Sequence, residues 1–341
     1  MAKMEIKTDY KKKIKVFINY FLGPILFAWL SWSIYSQVKH QPDLEDKWRH
    51  IRQSFQSPVI FNLAAVFLLM IINWSIESFK WKLAVQQIQK VNFFTSFKAI
   101  LSGTSFSATT PNRVGEYLGR VLYMNEGNRL KAISLTMVGS MSQLIVTLFM
   151  GWVGLLLLQK QVEDSHMLSG IWIRAIIYGV SFVLLILTVF YFRLPWIIRW
   201  ADRLPGAGKY AWLVQGLEDF NATLMLQLLS LSALRFLVFI IQYYLLFRLF
   251  NVDIPWWQGW WAVSVSFLVM AVIPTIALFT DLGLRGQVSL KLIGLFSQND
   301  LGIGLTSVSI WFINLIIPAL AGSVLILGIK KIFKNSNDER I

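Results

Sequence analysis

The sequence predicts an all-α polytopic membrane protein of about six full spans plus two re-entrant helical hairpins, arranged as an inverted repeat. Three observations carry that reading. Apolar residues occupy 56% of the 341 positions and charged ones 15%, against roughly 25% charged in soluble domains. The apolar residues fall into runs long enough to cross a bilayer, with Lys and Arg gathered at their ends. Two of the runs are broken by Thr, Pro and Gly and followed by short charged segments.

The elements follow in chain order. Lys3, Lys7, Lys11, Lys12, Lys13 and Lys15 precede an apolar run from Val16 to Ser36. That run is long enough to cross ~30 Å of hydrocarbon and has no small-x-small cleavage site after it, so it reads as an uncleaved signal anchor. Further full spans read as 58–78, 131–158, 170–192, 233–250 and 301–329. The stretches 93–110 and 258–280 each end in a break, followed by PNRVGEYLGRVLYM and DLGLRGQVSLKLIGLF. Half-helix, break and half-helix is the pattern of a hairpin that dips into the bilayer and leaves by the same face. The polar segments 38–57 and 193–224 are the size of loops and interfacial helices, with 194–205 an elbow helix. Residues 1–341 therefore form a single transmembrane domain.

The net charge of +14 follows from positive-inside topology and anionic lipid head groups rather than from nucleic acid. With both broken stretches re-entrant, the basic segments 79–98, 120–131 and 193–209 all lie inside together with both termini. Segments 38–57, 160–169 and 251–257 then lie outside. Trp256, Trp257, Trp260 and Trp261 fall at the outer interface, and Trp81, Trp196 and Trp200 at the inner one. On this topology residues 58–158 and 233–329 contain the same three elements in opposite orientation, and 170–192 supplies the odd crossing. Such repeats recur in transporters, and in some intramembrane lipid phosphatases, so the symmetry implies a lipid or solute path without choosing a reaction.

The most informative string runs from Thr109 to Arg120. Thr110 suits an N-cap and Pro111 a first helical position, so a half-helix is expected to begin there and present its free N–H groups within the membrane. Arg113, Glu116 and Arg120 share one helical face, while Gly115 and Gly119 permit close approach of a helix or a lipid. Charges in hydrocarbon cost ~2.5–3.5 kcal/mol each on insertion scales. Two explanations serve: an arginine clamp on a lipid phosphate, oriented by Glu116, or an internal ion pair that staples the hairpin. The second break pairs Asp281, as helix cap, with Arg285 and leaves the same two alternatives. Pro111 and Asn112 at the first break, and Gln143 and Asn314 in the spans that follow the hairpins, are candidate cavity-lining residues. Glu77 with Lys80 reads as a snorkelling pair at the inner end of its span.

Several classes of chemistry are absent. The chain has no Cys, which excludes disulfides and thiolate metal sites. His40, His50 and His166 fall in loops, so no zinc site or Ser/His dyad is expected at membrane depth. No nucleophile–base arrangement emerges; no catalytic residue, metal or cofactor is assigned.

The string Pro111-Asn112-Arg113-Val114-Gly115-Glu116-Tyr117-Leu118-Gly119-Arg120 resembles the P-x-R-x-G-E-x-x-R-type signature of the lysylphosphatidylglycerol synthase transmembrane, or flippase-like, family. Pro111, Arg113, Gly115 and Glu116 match it, and Arg120 is displaced by one residue. The family's second signature, a G-x-G-x-R-E-like string, is matched in part by Asp281 to Gln287. Asp281 stands for its first Gly and Gly286 for its Glu, so no role carries over for that acid. The family includes the membrane half of the bacterial multiple peptide resistance factor. The resemblance implies movement of aminoacylated or related anionic lipids between leaflets of the bacterial inner membrane. It also implies translocation without synthesis, because the chain ends soon after its last span. The expected partner is a membrane phospholipid or lipid-linked substrate, and a homo-oligomer is compatible with the sequence. The alternatives are an intramembrane lipid phosphate or pyrophosphate phosphatase, which would want paired carboxylates and a metal site, and a scaffold without transport.

Overall fold

A computed structural model describes residues 43–108, 114–201, 221–273 and 278–326, together with Trp32, Tyr35, Ser36, Lys39 and Thr110. The predicted first span, residues 16–36, therefore falls almost wholly outside the described residues. What is described is helical, without a strand. Five helical stretches are long and apolar enough to cross a membrane: Pro58–Val85, Glu126–Asp164, Gly170–Leu194, Ala222–Leu249 and Asp300–Ile326. The all-α polytopic class is borne out.

The surface helix α1 (Leu44–Phe55) carries Glu45 and Asp46 in its first turn and Arg52 in its last, complementing the helix dipole. Lys47 ties it to the far end of the chain by donating to the Gln298 carbonyl at 2.7 Å. Ser57 and Pro58 then start a short 3₁₀ turn that leads into α2 (Phe61–Val85). Two paired helices follow, α3 (Phe93–Ala108) and the two-turn α4 (Gly115–Val121). The long α5 (Arg129–Asp164) and α6 (Gly170–Ala201) come next. The predicted elbow helix is not a separate element as far as Ala201, because α6 runs on unbroken past Pro195.

Beyond the gap, Asn221 caps α7 (Ala222–Leu249) by accepting from the Leu224 amide at 2.8 Å. A second helix pair is formed by α8 (Trp256–Val272) and α9 (Leu278–Ile293). The last helix, α10, begins at Asp300 and reaches Ile326. Asn299 caps α10 and also holds the end of α7 by donating to the Phe250 and Asn251 carbonyls at 3.0 and 2.9 Å. One wide π turn, Phe312–Ile316, interrupts α10.

Three close crossings set the architecture. On α2 and α7, Val66 pairs with Gln242 and Asn73 with Arg235. Rising numbers on one helix meet falling numbers on the other, so the two are antiparallel. The other two crossings depend on glycine. A Cβ on Gly151 of α5 would overlap the Leu268 side chain of α8, and one on Gly154 would lie 3.0 Å from the Trp261 carbonyl. A Cβ on Gly322 of α10 would overlap the Leu101 carbonyl of α3. In lipid, where apolar burial between helices gains little, such small-residue contacts let backbones approach and dispersion act. Within the first pair, Gly103 lies against Gly119 and Phe106 against Gly115, so α3 and α4 also run antiparallel in near-backbone contact.

Candidate functional site

Between these helices lies a cavity of 630 Å³ whose wall comes from α2, α3, α4, α5, α7, α8, α9 and α10. Its charged and amide-bearing lining residues are Glu77, Lys80, Glu116, Gln143, Arg235, Asp281, Arg285 and Asn314. Apolar side chains line it too, Phe239, Phe267, Met270 and Val272 among them. Both helix pairs contribute, Thr104, Ser107 and Glu116 from the first and Asp281 and Arg285 from the second.

Glu77 of α2 is the hub of the charged wall. Its Oε1 accepts from Arg120 Nη2 of α4 at 3.0 Å. Its Oε2 pairs with Lys80 at 2.8 Å and with Arg235 of α7. Arg120 is in turn paired with Glu116, one turn earlier on its own helix. Arg235 donates from Nε to Asn73 Oδ1 at 2.9 Å and from Nη1 toward Gln143 at 3.4 Å, with its guanidinium 5.7 Å from the Trp74 ring centre. Glu77 is 5% exposed, Lys80 2%, Arg120 2% and Arg235 9%. At that depth a charge persists only when paired and hydrogen-bonded. Lys80 also donates to Ser232 at 3.3 Å, and Ser232 meets Ser142 at 2.8 Å, so the network reaches across α2, α5 and α7.

The candidates from sequence fare differently. Glu116, Gln143, Asp281, Arg285 and Asn314 share the cavity wall, and Arg120 lies directly behind Glu116. Pro111, Asn112 and Arg113 lie outside the described residues. The first half-helix starts at Gly115 rather than at Pro111. Thr110 still organises its start, accepting from the Gly115 amide at 2.8 Å while donating to the Phe106 carbonyl at 3.0 Å. Asp281 sits in the first turn of α9 instead of capping it, because the helix begins three residues earlier, and it pairs with Arg285 at 3.3 Å. Arg285 also reaches Tyr243 on α7.

One expectation is corrected. Glu77 and Lys80 do not snorkel at an interface; α2 continues to Val85 and buries both. Trp81, one residue further on, is also buried and donates to Thr136 Oγ1 at 2.9 Å. Arg235 escaped the sequence reading altogether. The signal was present, since an ionisable residue inside an apolar run marks a site by default, but the span assigned from 233 put Arg235 at its rim.

Comparison with curated proteins finds no match. The family model described as "Lysylphosphatidylglycerol synthase TM region" matches residues 20–322. That interval takes in every residue lining the cavity, both helix pairs and the charged string from Gly115 to Arg120, and on that match the chain belongs to the lysylphosphatidylglycerol synthase transmembrane-region family.

Proposed function

We propose that this protein is a bacterial inner-membrane lipid translocase handling an anionic or aminoacylated phospholipid or a lipid-linked phosphate. The observation that carries the proposal is the shared cavity, lined by both charged and apolar side chains, to which both helix pairs contribute. A lipid has the same two-part chemistry. Its head group needs ion pairs away from bulk water, and its chains need an apolar flank. Glu116, paired with Arg120, and Asp281, paired with Arg285, bring one charged pair to the space from each helix pair.

The translocation mechanism needs the site to be reachable from either leaflet, which inverted units provide by rocking about a shared centre. Three features support inverted units over residues 58–158 and 233–329. The helices α2 and α7 cross antiparallel. Each unit's last helix receives the other unit's hairpin on a glycine, Gly151 against Leu268 and Gly322 against Leu101. Each unit also has a pair of shorter helices between two long ones. On this reading the two pairs are re-entrant hairpins and both termini are cytoplasmic.

The test is a proteoliposome assay with labelled phosphatidylglycerol, aminoacylated phosphatidylglycerol and polyprenyl phosphate, scored for leaflet exchange and for phosphate release together. Exchange of at least one lipid without release is expected. Release of phosphate would move the assignment to the phosphatase alternative, and neither activity on any of the three lipids would overturn both.

A further inference from the structure

The charged wall is unbalanced. Around Glu77, three cations (Lys80, Arg120 and Arg235) face two carboxylates, Glu77 and Glu116. Glu77 alone touches all three cations. Arg235 is the cation that joins the network to the other half of the molecule, and its Nη2 donates to none of the described residues although its side chain lines the cavity. A buried guanidinium with an open nitrogen beside a cavity is a site for a planar or tetrahedral oxyanion.

We infer that Arg235, with Lys80 and Arg120 behind it, forms the phosphate-binding site of the cavity, and that Glu77 holds the phosphate's place while the site is empty. The inference rests on the translocase reading and shifts its ligand from the hairpin ends to the α2–α7 crossing. Glu77 keeps the three cations together in the absence of ligand, since like charges at this depth would otherwise repel and stay unpaired. A lipid phosphodiester or phosphomonoester arriving from the cavity competes with Glu77 for Arg235 Nη1 while using the open Nη2, which a carboxylate already committed to Lys80 and Arg120 does not reach. Gln143 stands next to Nη1 as a neutral partner. Because Glu77 belongs to α2 and Arg235 to α7, the exchange of partners loosens the one ion pair recorded between those helices among the described residues. Ligand binding is thereby coupled to the relative position of the two helices.

The experiment uses the purified full chain in maltoside micelles, with dihexanoyl phosphatidylglycerol as probe and glycerol 3-phosphate and dihexanoylglycerol as controls. Affinity and thermal midpoint are measured for the wild type, Glu77→Gln, the double variant Glu77→Gln with Lys80→Gln, and Arg235→Gln. Removal of the internal competitor is expected to tighten the probe about tenfold, the size of coupling usual within one charged network. The probe should raise the thermal midpoint of Glu77→Gln more than that of the wild type, and Arg235→Gln should weaken binding about tenfold or more. Dihexanoylglycerol should do nothing. If Glu77→Gln does not fold, the double variant, which keeps the network's wild-type net charge but lacks Lys80, is expected to bind the probe at least as tightly as the wild type, and weaker binding overturns the inference. A structural role for Glu77 predicts the opposite: lower midpoints with probe affinity unchanged or weaker, and that result overturns the inference. Should the wild type exchange lipid in proteoliposomes while Glu77→Gln binds the probe no more tightly, this inference fails and the translocase reading stands. Glycerol 3-phosphate protecting as well as the lipid supports the phosphate site and overturns the lipid assignment.

Discussion

Glu77 and Arg235 are 158 residues apart in sequence and form a direct ion pair across the antiparallel α2–α7 crossing. Both are buried, and neither is paired with the other alone. Lys80 and Arg120 share the carboxylate, while Asn73 and Gln143 share the guanidinium. The network therefore fixes where α4 stands relative to α2 and where α2 stands relative to α7.

Arg120 and Glu116 should differ in what their loss does. Arg120 is almost fully buried and bridges two carboxylates, so Arg120→Ala leaves Glu77 and Glu116 facing each other without their shared cation. Breaking such a network by removing one partner costs about 3–5 kcal/mol. Glu116 retains 28% side-chain exposure, so Glu116→Gln should cost less, about 1 kcal/mol. Thermal unfolding of the two variants in detergent ranks them; an equal loss for both would contradict the geometry.

Asn314 should be dispensable for stability and needed for transport. It is 7% exposed and lines the cavity, and its Nδ2 reaches only the Ile310 carbonyl of its own helix, at 3.2 Å. Its Oδ1 has no partner among the described residues. Replacing a buried unsatisfied polar group by an apolar one of similar shape is close to neutral or stabilising. Asn314→Leu is expected to keep the wild-type thermal midpoint and to slow lipid exchange about tenfold. A lower midpoint with normal exchange would make Asn314 a packing residue.

Two glycines provide a matched pair for packing. At Gly322 a Cβ would collide with the Leu101 carbonyl, whereas at Gly179 nothing lies within 4 Å of the added atom. Gly322→Ala should destabilise by about 1–3 kcal/mol through overpacking. Gly179→Ala should be neutral or stabilising by about 0.5–1 kcal/mol, because it removes backbone entropy from an open helix position. Parallel thermal melts of the two single variants are sufficient to check this.

The membrane orientation is tested with single cysteines, since the chain has none of its own. Gly127→Cys sits in open space before α5 and should be protected from a membrane-impermeant thiol reagent in intact cells. Ser165→Cys, at the other end of the same helix, should react. The reverse pattern would place the termini outside.

Much of this fold is legible in the sequence because bilayer spans are written locally. The run 58–78 falls within the helical stretch Pro58–Val85, 131–158 and 170–192 fall within α5 and α6, and each break near Pro111 and Pro274 separates two paired helices. Pairs four residues apart on one helix, Glu116 with Arg120 and Asp281 with Arg285, are also local and were found. The hub was not. Its carboxylate and its main cation come from helices whose register depends on tertiary packing, and hydropathy trimmed both helices at their polar ends. Ending α2 near Ser78 made Glu77 look interfacial, and starting α7 at 233 hid that Arg235 lies well inside Ala222–Leu249. A rule that treats any acid or base within three turns of a span's end as intramembrane would have retained both.

The π turn at Phe312–Ile316 has a geometric consequence for α10. One extra residue in a turn advances everything beyond it by about 100° relative to an unbroken α-helix. Asn314 lines the cavity, while Gly322, after the turn, lies against Leu101. The bulge thus works as a phase shifter, allowing a single rod to address two surfaces that a regular helix would not meet in the same register. Deleting one residue from it would straighten the helical ladder yet rotate either the amide or the glycine off its target, so a local repair of hydrogen bonding would misalign the whole helix.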